Sequence, residues 1–100
     1  MKTKTTTIYK KIDSHKYEIH RANALAKTEE YLGDVDYDMF KSKWFIKPYF
    51  DYLLEDQHIL KEAYNSSIEA GRILVSMHEN LKEYNNQLDW DLDRMFIGTD

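Results

Sequence analysis

From Ser67 to Leu88 the apolar residues fall at Ala70, Leu74, Met77, Leu81, Tyr84 and Leu88. Steps of three and four lay these side chains in one stripe along a helix. Such a stripe has to be covered, either by the rest of the chain or by a second copy of it. The sequence upstream decides how much cover the chain itself can supply.

That upstream half reads as further helix. Ser14 is a suitable N-cap for a helix running to about Leu32, stopped by Gly33, with Ile19, Ala22, Leu25, Ala26 and Leu32 on its inner face. Asp36 caps a second, short helix ending near Ile46, in which Val35 and Phe40 occupy hydrophobic-staple positions and Tyr37, Phe40 and Trp44 share a side. Pro48 suits the first turn of a third helix reaching about Tyr64. Ser66 with Glu69 forms a capping-box pattern, favouring a break and a new helix over one rod from Pro48 to Leu88. The expectation is therefore an all-α fold, a bundle of three or four helices, with the last helix long enough to pair in a dimer. Residues 1–13 read as a polar, basic arm, irregular or at most a short β-hairpin across Asp13-Ser14. Residues 14–100 read as one helical domain ending in an acidic, hydrophobic segment, 89–100.

Composition narrows the function classes. The 100 residues contain no cysteine, which excludes disulfides and thiolate metal sites, and a reducing cytoplasm is the expected compartment. The N-terminus has no apolar run behind its lysines, so neither a signal peptide nor a membrane partner is expected. Net charge is −4, with seven basic against four acidic residues in 1–30 and seven against fourteen in 31–100. That balance does not coat nucleic acid, although the basic arm can touch phosphate locally.

Motifs for chemistry are sparse. Glu55 and His58 have the spacing of a helical carboxylate–imidazole pair, but a metal bundle needs several more ligands and an exposed face explains them equally well. His15, His20 and His78 share no ligand spacing. Three glycines leave no phosphate loop, and Ser66, Ser67 and Ser76 lie in no nucleophile turn. Neither an enzyme nor a cofactor is expected.

Binding is the remaining reading. Seven aromatic residues lie between Tyr37 and Tyr52, interleaved with Lys41, Lys43 and Lys47. Helical spacing assigns some of these rings to the core, which leaves Trp44, Phe45, Tyr49 and Tyr52 as candidates for a partner surface. At the C-terminus, Asp89, Trp90, Asp91, Asp93 and Phe96 alternate acids with large apolar groups and are candidates for the same task. The hexapeptide Gln87-Leu88-Asp89-Trp90-Asp91-Leu92 is similar in pattern to the short peptides that dock on bacterial sliding clamps, with Trp in place of an aliphatic residue. Leu88 also belongs to the helical stripe, and an acidic, hydrophobic peptide offered to some protein is the broader reading. Leu74, Met77, Leu81, Tyr84 and Leu88 are the candidates for self-association as a homodimer. The sequence thus predicts a protein-binding regulator, adaptor or inhibitor acting on a larger complex through an acidic surface. The alternative is a nucleic-acid-binding regulator using the basic arm and segment 37–52.

Overall fold

A computed structural model describes the backbone of residues 5–97 and the side chains of residues 5–86. The chain is a four-stranded antiparallel sheet crossed on one face by a single long helix, and the expected all-α bundle is incorrect. The strands β1 (Thr5–Asp13), β2 (Lys16–Asn23), β3 (Thr28–Asp38) and β4 (Lys43–Pro48) form a simple meander. A short 3-10 helix, Leu54–Lys61, leads to α1, Ser67–Ile97.

The first two of the three helices expected before residue 65 are replaced by period-two alternation, and the third by an irregular stretch after Pro48 and the short 3-10 helix. Tyr17 and Ile19 face α1, while Glu18 and His20 face the other way. Val35 and Tyr37 pair with Ile46 and Trp44 on the helix side, and Asp34 and Asp36 pair with Lys47 and Phe45 on the open side. Side chains alternating across a pleated strand place apolar residues on one face and charges on the other. Val35 and Phe40 form no staple: Val35 is core and Phe40 is fully exposed at a turn. Pro48 closes β4 instead of opening a helix, a strand-end position where its missing N–H is tolerated.

Each turn is started by an Asp or Asn whose carboxylate or amide oxygen accepts backbone N–H groups, the usual mechanism by which these residues initiate turns. Asp13 accepts from His15 at 2.7 Å. Asn23 accepts from Leu25 and Ala26, both at 3.1 Å. Asp38 accepts from Phe40 at 2.9 Å and Lys41 at 3.2 Å. The second and third turns share one design, since the residue four places after each Asx, Lys27 and Ser42, has a φ near +50°.

The core lies between sheet and helix and consists of Ile19, Leu32, Val35, Ile46, Tyr64, Ala70 and Leu74, all buried. A bulge at Leu32-Gly33, opposite Ile19, turns both residues inward. Gly71 lets the helix sit directly on Tyr9, whose hydroxyl donates to the Ile68 carbonyl at 3.2 Å. The expected capping box is partly realised: Ser66 Oγ accepts from the Glu69 N–H at 3.1 Å. The chain breaks at residues 65–66, as the capping pattern indicates, and no rod forms from Pro48. However, α1 runs past Leu88 to Ile97. No helix among the described residues is long and apolar enough to cross a membrane.

Burial also sets an alkaline limit on the fold. Tyr9, Tyr31 and Tyr64 all have their pKa raised above the ordinary value near 10, in each case chiefly by burial, with Asp34 adding to the effect at Tyr31. The folded state holds these protons more tightly than the unfolded state does. Their contribution is complete below pH 10 and is lost as pH rises through the folded values. Melting temperature is expected to fall above pH 10, less steeply for Tyr31→Phe, with the two pH profiles parallel below pH 9. Parallel profiles across the alkaline range would overturn this assignment.

Candidate functional site

Helix α1 outruns its sheet. Its 31 residues give a length of about 46 Å by helix rise. It passes Tyr9 near its start, and its later residues meet the opposite end of the strands. There Arg21 reaches Glu79 at 3.4 Å, and Glu30 meets His78 at 3.2 Å and Lys82 at 3.8 Å. Beyond Lys82 the side chains of Glu83, Tyr84, Asn85 and Asn86 are exposed. The principal extents, 60 × 32 × 18 Å, reflect this projection.

At the root of the projecting part, the chain leaving β4 builds a wall beside the helix. The Tyr49 N–H donates to the Leu32 carbonyl at 2.8 Å, and the Phe50 ring lies edge-on to His78 with centroids 5.0 Å apart. On the far side, Ile59 and Leu60 of the 3-10 helix pack on the core. Residues 52–55 are strung between these two anchors. Tyr52, Leu53, Leu54 and Glu55 face Tyr84 across a groove of about 460 Å³. An adjoining hollow of about 370 Å³ continues it along Asn80 and Glu83. Leu54 is 86% exposed and Tyr84 50%. Among the described residues, two glutamates line the groove and no Lys or Arg does.

The residues expected to bind a partner are dispersed. Tyr52 lines the groove. Tyr49, 75% exposed, lies tilted against Tyr31, with ring centroids 5.0 Å apart, on the open side of the sheet. Trp44 is half-buried on the helix side, against Tyr17 and Tyr37. Phe45 lies on the opposite face under the Lys41 ammonium, 5.2 Å from the ring centroid. Of the stripe, Leu74 packs into the core between sheet and helix, Met77 is buried, Leu81 is half-buried, and Tyr84 belongs to the groove. The side chains of Leu88, Asp89, Trp90, Asp91, Asp93 and Phe96 lie outside the described residues, as does the clamp-like hexapeptide they overlap.

Two features escaped the sequence reading. A third helix from Pro48 puts Leu54 on its buried face with Phe50, Leu53 and Leu60, whereas Leu54 stands exposed in the groove wall. Phe40 was assigned to the core, yet at the β3–β4 turn it is wholly exposed beside Met39, which is 70% exposed. The signal that finds it is Asp38, whose side chain caps the turn two and three residues on.

The open face of the sheet is an ion-pair layer. His20 has Glu18 at 3.1 Å from Nε2 and Glu29 at 3.2 Å from Nδ1. The Lys10 ammonium, hydrogen-bonded to Glu29 at 2.8 Å, holds that carboxyl below its ordinary pKa, aided by His20. Asp36 binds Lys47 at 2.9 Å and raises its pKa. Both His20 nitrogens are engaged by carboxylates. Among the described residues, no group of three or more His, Asp or Glu is arranged to hold a metal ion. Glu55 and His58 are exposed and make a local contact, with His58 Nδ1 2.8 Å from the Glu55 carbonyl oxygen.

No family model matches this chain, no curated protein matches it, and no solved structure matches it, so the site is read from its own residues alone.

Proposed function

We propose that this protein is a non-enzymatic binding module, and that the groove at the root of α1 receives an apolar segment of a partner protein flanked by basic residues. The observation that carries this reading is the uncovered Tyr84, which faces Leu54 and Tyr52 where the helix leaves the sheet. Clustered exposed apolar groups mark interaction sites in soluble proteins, and tyrosines beside a helix are frequent anchors. Glu55 and Glu83 supply the negative rim that selects a basic partner. A role as regulator or adaptor of a larger assembly follows from such a surface. The nucleic-acid alternative has less support: Trp44 and Phe45 lie on opposite faces of β4, so rings and lysines form no single track for stacked bases.

Affinity capture from the source cells tests the reading, comparing the natural chain with Leu54→Asp and Tyr84→Asp. Both side chains are exposed, so neither change should alter thermal stability. The captured partner should be lost with both variants. Retention of the same partner by both would overturn the reading.

A further inference from the structure

The turn between β3 and β4 carries features complementary to those of the groove. Phe40 and Met39 stand out at its tip, with Phe40 102% exposed. Asp38 fixes the turn by accepting two backbone N–H groups, so the Phe40 ring is presented by a rigid loop. Lys41 and Lys43 follow within three residues. Lys41 rests on the Phe45 ring, and Lys43 donates to the neutral Asn65 side-chain oxygen, and among the described residues neither forms an ion pair with a carboxylate. The groove has the converse features: apolar walls of Tyr52, Leu53, Leu54 and Tyr84, and a rim of Glu55 and Glu83.

Knob and groove cannot meet within one chain. The β3–β4 turn lies at the end of the sheet where α1 begins, and the groove lies at the end where α1 leaves. We infer that the Phe40 turn of one copy seats in the Tyr52–Leu54–Tyr84 groove of a second copy, with Lys41 and Lys43 against Glu55 and Glu83. This inference rests on the groove being a binding site, and it names the occupant as the chain itself. A groove of about 460 Å³ is of the size that holds compact ligands, so it accommodates a phenylalanine ring and its neighbour. Because the two surfaces differ, the contact is heterologous. Each added copy exposes a new knob and a new groove, giving an open chain or a ring instead of a closed two-fold dimer.

Sedimentation or light scattering over a range of concentrations tests this. The natural chain should gain mass beyond a dimer as concentration rises, and less so at high salt, which screens the lysine–glutamate contacts. Phe40→Asp and Leu54→Asp should each weaken self-association about tenfold or more, without lowering the melting temperature, since both residues are exposed. The decisive measurement is the equimolar mixture of the two variants. Phe40→Asp keeps an intact groove and Leu54→Asp an intact knob, so the mixture should form a species that stops at two chains. A natural chain that stays monomeric, or a mixture that stays monomeric, would overturn the inference. A natural chain that stays monomeric, yet whose captured partner is lost with Leu54→Asp, would leave the groove reading standing while removing the second copy as its occupant. Self-association that survives Leu54→Asp would also remove that occupant.

Discussion

Replacing Gly33 by alanine is expected to lower the free energy of unfolding by about 3 kcal/mol or more, one of the larger single-residue losses this fold can suffer. Two causes act together. The φ of Gly33 is +151°, a backbone conformation that side-chain-bearing residues rarely adopt. In addition, a Cβ built there collides with the Lys47 carbonyl oxygen and lies 2.8 Å from Pro48 Cα and 3.0 Å from the Tyr49 nitrogen. All three are backbone atoms of the strand end that pairs with Gly33, so no side-chain rotation relieves the contact. Relief requires moving the exit of β4, which breaks the Tyr49 N–H bond to Leu32 and shifts the chain that leads into the groove wall. For a domain of this size the loss corresponds to a fall in melting temperature of about 15 °C. Measured urea unfolding within about 0.5 kcal/mol of the natural chain would mean that the bulge is not a fixed feature. The same variant should lose groove function, because the displaced backbone at Tyr49 leads directly into the Tyr52–Glu55 wall.

That bulge is also one reason the sheet was hard to read. Strand β3 alternates cleanly from Asp34 to Asp38, with Val35 and Tyr37 inward and three aspartates outward. The inserted residue at Leu32-Gly33 breaks the period just upstream, and Ile19, Ala22, Leu25, Ala26 and Leu32 then show a spacing loose enough to pass for a helix face. Asp36 reads equally well as a helix cap or as an outward strand residue, and only pairing with β4 decides between them. The apolar stripe of α1 was legible because helical spacing over a long segment is hard to imitate, and Ser66 marked where it begins. What the stripe could not disclose was its cover: Leu74 and Met77 are buried, and Tyr84 is half exposed. Of the binding residues, Tyr52 is visible as an excess aromatic and Tyr84 as part of the helical stripe. Phe40 and Leu54 were not, because exposure at a turn or beside a 3-10 helix depends on tertiary placement and not on local pattern. Asp13, Asn23 and Asp38 mark every strand connection in the sheet, and of these only Asp13 enters the sequence reading as a turn, in the hairpin across Asp13-Ser14.

The covered and uncovered parts of α1 should therefore separate by mutation. Leu74 has no exposed surface and packs among Ile19, Leu32, Val35 and Ile46, so Leu74→Ala is expected to cost about 2–5 kcal/mol through lost burial and the cavity left behind. Against a total near 5–15 kcal/mol for a domain of this kind, that is a large share. No second layer is available to compensate, because the other face of the sheet holds the Lys10–Glu29, His20–Glu18 and Lys47–Asp36 pairs in place of an apolar core. Leu74→Asp should abolish the fold altogether: the carboxylate would enter that apolar cluster with no basic side chain among its members. Circular dichroism should then show sheet and helix lost in one transition, since each covers the other. Tyr84→Ala, ten residues further along the same stripe, should change stability by no more than about 0.5 kcal/mol, the range of ordinary surface substitutions. Comparable losses at Leu74 and Tyr84 would mean that the projecting part of α1 is packed by its own chain, and the groove would then be unavailable to any partner.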